Sequence, residues 1–300
     1  MRYLERRLGI PREKLRRIAT ESDFHYAPRT DEKPPRPFAK KKVKPKVRDL
    51  DCPRDPLKDV QRRIQHHLLR DLEMPDYICG GVKGHSVLDN VAHHQNASLI
   101  VTVDIKSWFP SITAENVYFV WYTVLKCSDE VATLLTALTT FNGHLPQGAP
   151  TSTTLSNLVL YSIDLPIRHA AAALGVRYSS WVDDLTLSGL HARKLIPIVA
   201  STLRGARFKV ARSKLKVMGG SKQRVVNGVV AGVEPSIPKQ TRDRIRAALH
   251  RLRSGDIYEE DKESYTATQK GRIVYFKSVN AQQTRSLEFE LMRLLEKTEG

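Results

Sequence analysis

The chain has 300 residues, 41% hydrophobic and 27% charged, which suits one large domain or two ordinary ones with a substantial core. Its 49 Lys and Arg against 32 Asp and Glu give a net charge of +17, which points to a polyanionic partner, nucleic acid ahead of an anionic membrane. No apolar run reaches the roughly 18 residues of a membrane span, the charged start "MRYLERRLGIPREKLRR" has no signal-peptide core, and Cys52, Cys79 and Cys127 form no CxxC pair. A reducing cytoplasmic setting without a membrane partner is therefore expected.

In chain order, residues 3–19 carry Leu4, Leu8, Leu15 and Ile18 at helical spacing, interrupted at Gly9–Pro11, and so predict two short helices. Residues 28–38 hold four prolines and predict an extended connector. "KKKVKPKVRDLD" (40–51) is basic and β-prone, and belongs to a first 50 residues with 16 Lys and Arg against 7 Asp and Glu. Leu57, Val60, Ile64 and Leu68 predict a helix over 55–69. "SLIVTVDI" (98–105) reads as a buried strand ending at Asp104. Helices are predicted near 114–126 and 129–141, the second capped by Asp129. A loop, "GHLPQGAP", precedes a helix over 151–174. Strands flank Val182–Asp184, a helix follows over 191–204, strands near 207–210, 214–218 and 225–232, and helices from 239 onward. This order is an α+β pattern rather than an alternating one, and no internal repeat is visible.

The chemistry resides in the acids. A buried carboxylate is costly unless paired or metal-bound. "VDD" alone is more often a solvated turn, but Asp104 at the end of a buried strand offers it a partner. Together the three acids would make a hard, oxygen-only Mg²⁺ site. His85, His93 and His94 have no matching cysteines, which argues against zinc.

Five segments then occur in a telling order: "VDIKSWFPSI" (103–112), "LPQGAPTSTTLSN" (145–157), "WVDDLTLSG" (181–189), "FKVARSKLKV" (208–217) and "VVNGVVAGVEPSIPK" (225–239). They resemble the palm motifs of reverse transcriptases and the two motifs that follow, over roughly residues 40–250. Among these enzymes the resemblance is greatest to the bacterial retron type. Its Asn-Ala-x-x-His element is matched by Asn90 and His94 of "NVAHH" with the alanine displaced, and its Val-Thr-Gly by "VNG" with Asn227 in place of threonine.

The resemblance implies a right-hand polymerase: an N-terminal helical lead and connector (1–39), fingers (40–97 with part of 113–145), a palm with an antiparallel sheet and the catalytic acids (98–235), and a helical thumb (236–300). It implies Asp104, Asp183 and Asp184 as catalytic residues holding two Mg²⁺ ions, or Mn²⁺ as a substitute, with the main-chain carbonyl of Ile105 as an extra ligand. Phe109 would floor the sugar pocket and exclude a 2′-hydroxyl. Gln147 and Gly148 would contact the incoming dNTP, Arg48 and Lys42 would grip its triphosphate, and Lys214 would lie at the pyrophosphate. Trp181 stands where the family has tyrosine, against the primer end, and Asn90, His94, Arg242 and Arg246 would contact RNA or the template–primer.

The implied activity is RNA-directed DNA synthesis on a structured non-coding RNA, started from an RNA 2′-hydroxyl and leaving a joined RNA–DNA product. Such enzymes commonly work with an effector protein in antiphage defence. Two other readings stay open: another bacterial reverse transcriptase (group II intron-like, diversity-generating or abortive-infection type), or a catalytically silent RNA-binding scaffold.

Overall fold

The computed structural model describes residues 1–33 and 46–299. Helices α1 (Arg2–Leu8) and α2 (Arg12–Thr20) are separated by Gly9, which takes φ 64° and closes α1 by donating its N–H to the Glu5 carbonyl. Leu4, Leu8, Leu15 and Ile18 are buried in the main core, as their spacing predicts. Strand β1 (Tyr26–Lys33) pairs antiparallel with β2 (Lys46–Pro53). The expected connector thus begins inside a strand, with Pro28 opposite Asp51, and residues 34–38 lie outside the described residues.

Helix α3 (Leu57–Ile64) runs into a π-turn over Gln65–Leu69. Helix α4 (Val87–Ala92) starts at a capping box between Ser86 and Asp89. Strand β3 (Leu99–Asp104) is buried almost throughout, as its unbroken β-branched run requires. Short α5 (Trp108–Ser111) precedes α6 (Ala114–Phe119) and a π-turn over Val120–Val124. In helix α7 (Asp129–Thr139) the N-cap position is held by Ser128, not Asp129, and the Ser128 side chain makes no capping hydrogen bond. Asp129 is its first residue, and its carboxylate accepts from the Tyr118 hydroxyl at 2.6 Å.

The single helix expected over 151–174 is two, α8 (Ser152–Ile163) and α9 (Leu165–Ala173). They part at Asp164, because Pro166 fits only the first turn of a new helix. Strands β4 (Arg177–Trp181) and β5 (Asp184–Ser188) form the expected hairpin. A 3₁₀ turn (Ala192–Leu195) leads into α10 (Ile196–Gly205). The strand expected at 207–210 does not form: Arg207 takes φ 65°, which interrupts an extended run, and only Val210 bridges, to Ile105. Strand β6 (Lys216–Gly219) follows, then β7 (Val225–Val226), β8 (Val229–Ala231) and β9 (Pro235–Ser236). Helices α11 (Lys239–Ser254), α12 (Glu259–Val279) and α13 (Ala281–Glu299) complete the chain.

The central sheet has the order β4-β5-β3-β6, antiparallel throughout. The main hydrophobic core joins it to α1–α3 and α5–α10. A second cluster, including Val91, Ile100, Met218, Val226 and Val229, seats α4 between that sheet and the β7-β8-β9 ribbon. The last three helices have their own core of Ile245, Leu249, Ile273, Phe276, Leu287 and Leu291. The molecule is α+β, and among the described residues no helix is long and apolar enough to cross a membrane.

Candidate active site

Strand pairing decides where the acids meet. Asp104, the last residue of β3, sits directly opposite Asp184, the first of β5. Asp183 precedes it in the two-residue loop between Trp181 and Asp184, and its carbonyl accepts the Ile105 N–H at 2.9 Å. The backbone beyond β3 is fixed on its other side: Asp104 accepts from the Ala211 N–H at 2.8 Å, and Lys106 donates to the Lys209 carbonyl at 2.8 Å. The segment holding Lys214 is thereby drawn to the acids, and the Lys214 ammonium donates to Asp104 Oδ2. The structure thus brings together Asp104, Asp183, Asp184, Ile105 and Lys214, which the sequence placed in different motifs.

The electrostatics are strained. Burial first, then the charges of Asp183 and Asp104, push the Asp184 carboxyl up to about 6, while Lys214 and Lys216 oppose the rise. Asp104 is 7% exposed, and its Oδ1 is buried with no hydrogen-bond partner. Crowded carboxylates with an orphaned oxygen suit a hard divalent cation. Among the described residues no group of three His, Cys, Asp or Glu side chains has closed into a ligand set. Lys214 holds the other oxygen of Asp104.

Gln147 and Gly148 lie beside the β1–β2 hairpin. The Gln147 carbonyl accepts the Asp51 N–H at 2.8 Å, and Gly148, at φ 120°, faces Asp51, Cys52 and Leu50 at 3.6–3.8 Å from where a Cβ would stand. His144 Nε2 is 3.3 Å from Asp51 Oδ2, a second tie between loop and strand. Arg48 is in β2, opposite Asp31; its side chain, and all of Lys42, lie outside the described residues. Phe109 is half-buried against the main core, and Trp108 is buried edge-on to Phe208 at 4.8 Å.

Trp181 ends β4, half-buried. The hairpin is backed by Gly80: a Cβ there would stand 2.5 Å from the Val182 nitrogen and 2.8 Å from the Trp181 carbonyl carbon. Residues 77–80 hold the edge of β4, with Ser180 donating to the Tyr77 carbonyl at 2.8 Å and Cys79 to the Ser180 carbonyl at 2.9 Å. Asn157 in turn donates to the Gly80 carbonyl at 2.8 Å. Sequence reasoning missed Gly80, for which the "CGG" run at 79–81 was the available signal.

Asn90 and His94 correct an expectation. Both are 0% exposed, so neither offers surface for an RNA contact. His94 is wedged between Ser188 Oγ (2.7 Å, at Nδ1) and Ser179 Oγ (2.6 Å, at Nε2), and burial, then His93 and Arg177, lower its pKa to about 3. Asn90 joins Ser179 and Asn227. Nothing in the sequence marks Ser179 or Ser188. Arg242 and Arg246 lie on α11, well along the chain from the acids; Arg246 is exposed, 3.6 Å from Asp243, and Arg242 is half-buried.

Comparison with known proteins identifies the family. Residues 39–244 match the family described as "Reverse transcriptase (RNA-dependent DNA polymerase)". The chain is 28% identical over 289 residues to the Retron Ec86 reverse transcriptase of Escherichia coli, covering 95% of this chain and 86% of that one. It is 30% identical over 270 residues to the Retron Mx65 reverse transcriptase of Myxococcus xanthus, covering 83% of this chain and 62% of that one. The match to the Retron Se72 reverse transcriptase of Salmonella heidelberg is 26% over 230 residues, 73% of this chain and 61% of that one. The chain thus spans most of the first relative and about six tenths of the other two.

Proposed function

The chain belongs to the reverse transcriptase (RNA-dependent DNA polymerase) family, and from that premise we propose that it is a retron-type enzyme copying part of a structured non-coding RNA into DNA. The observation that carries the site assignment is the cross-strand pair Asp104–Asp184, with Asp183 tied beside it through Ile105. Asp104 and Asp183, supported by Asp184 and the Ile105 carbonyl, would hold two divalent cations, Mg²⁺ or Mn²⁺. Bound there, the ions supply activation of the attacking hydroxyl and neutralisation of the triphosphate.

The remaining roles belong to the chain's own groups. Lys214 shares the charge of Asp104 and stands ready beside the leaving pyrophosphate. Gly148 lets the backbone approach the incoming dNTP, and Gln147 contacts that nucleotide from a loop anchored to β2, the strand that carries Arg48. Arg48 and Lys42 grip the triphosphate, and Phe109 floors the sugar. Trp181 presents a flat aromatic face to the primer end. In this reading α1, α2 and β1 are the N-terminal lead and connector, β2, α3 and α4 with part of 113–145 are fingers, the central sheet with the rest of 98–235 is palm, and α11–α13 are thumb, with Arg242 and Arg246 on the template–primer backbone. Priming from an RNA 2′-hydroxyl, and antiphage action with an effector protein, complete the proposal.

Extension of a primed RNA template with dNTPs and Mg²⁺ tests it. Wild-type protein extends the primer, and Asp183→Ala with Asp184→Ala abolishes extension; activity in that double variant would refute the site. RNA carried through purification should be one discrete structured species joined to DNA through a nuclease-resistant branch. A random population of cellular RNA would overturn the retron reading.

A further inference from the structure

Behind the hairpin, five polar side chains from three separate stretches form one directed hydrogen-bond chain. Ser179 Oγ donates to Asn90 Oδ1 at 2.5 Å, which uses its only proton. Its lone pair must therefore accept from His94 Nε2–H, leaving His94 Nδ1 to accept from the Ser188 hydroxyl. At the other end Asn90 Nδ2 donates to Asn227 Oδ1. Ser179, Ser188, Asn90 and His94 are all 0% exposed. Such a network is costly if any member is lost, because its partner stays buried and unpaired.

The hairpin needs this help. Its two-residue loop begins at Val182, which takes φ 58°, a conformation favouring glycine and disfavouring a β-branched residue. The loop sequence is thus a poor register-setter, and strain of this kind persists only where surrounding structure over-determines it. Ser179 pairs with Thr186 and Ser188 with Arg177, so the two serines are diagonal neighbours on one face. A one-residue slip would turn them away from His94 and disconnect the acids from Asp104. Asn227 extends the tie to the β7–β8 turn, where it and Gly228 take φ 45° and 85°, the two positive values of a tight hairpin turn. That ribbon leads through β9 into α11.

We propose that Asn227, Asn90 and His94 are positioning residues: a brace, buried at Asn90 and His94 and half-buried at Asn227, that holds the Val182–Asp183 turn in register against Asp104 and couples it to the root of α11. Its consequence for DNA synthesis rests on the polymerase reading above. Asn227→Gly tests it in the full chain, because glycine keeps the positive φ while removing the side chain that carries the acceptor. Amide exchange in the 177–189 segment should accelerate about tenfold while β1–β2 is unchanged. The single-turnover rate of first dNTP addition should fall about tenfold or more, with KM for dNTP changed less than about twofold. Asn227→Asp, which retains both the acceptor and tolerance of the turn, should recover most of both. Unchanged exchange in Asn227→Gly, or equal losses in the two variants, overturns the brace. Exchange needs no catalysis, so wild-type protein that extends no primer would sink the polymerase reading and leave the brace judged on exchange alone.

Discussion

Asp184 shows the cost of the site at the level of one residue. Its carboxyl is pushed up to about 6 by burial and by Asp183 and Asp104, from an ordinary 3.8. The folded state therefore holds the proton more tightly than the unfolded one, and folding loses stability as pH rises from 3.8 to about 6. Above that range the loss is complete, on the order of 2 kcal/mol once partial solvent screening is allowed for. Asp184→Asn should thus raise thermal stability at pH 7.5, with the gain vanishing near pH 4, while lowering primer extension. Melting curves at the two pH values check the first part, and an unchanged midpoint at pH 7.5 would show that the crowding carries no net charge repulsion. The acids were legible in the sequence because an aspartate ending a β-branched strand is anomalous. Asn90 and His94 were visible as a motif but misassigned, because their spacing does not reveal that Ser179 and Ser188 enclose them.

Among the elements, the hairpin depends on a segment far earlier in the chain, at Gly80. Gly80 touches the Trp181–Val182 backbone so closely that any Cβ must move it. Gly80→Ala should cost about 1–3 kcal/mol in stability and reduce primer extension far more than the loss of folded protein explains. A variant with wild-type extension would show that the hairpin can shift without consequence. Strand β3, α7 and α11 were readable because each repeats its period without interruption. The break at Asp164, the missing strand at Arg207 and the division of 225–232 at Asn227 turn instead on single residues whose φ or missing N–H overrides the pattern. The antiparallel order β4-β5-β3-β6 joins stretches far apart in the chain, and no local signal encodes it.

Over the whole molecule, charge and layout bear on the same partner. The net +17 is spread beyond the acids, and α11 alone carries Arg242, Arg244, Arg246, Arg251 and Arg253. If this helix tracks a phosphate backbone, each contact releases counterions on binding, and log affinity falls linearly with log salt. Arg246 is a suitable probe: it is exposed, and its pairing with Asp243 at 3.6 Å is a surface pair that costs little to break. Arg246→Ala should weaken binding of structured RNA by a similar factor whatever its sequence, and reduce the steepness of the salt dependence by about 0.7 to 1. Titrations between about 50 and 200 mM salt read both quantities. A slope equal to the wild type's would remove Arg246 from the backbone contacts, and a loss confined to one RNA sequence would instead make it a reader of bases.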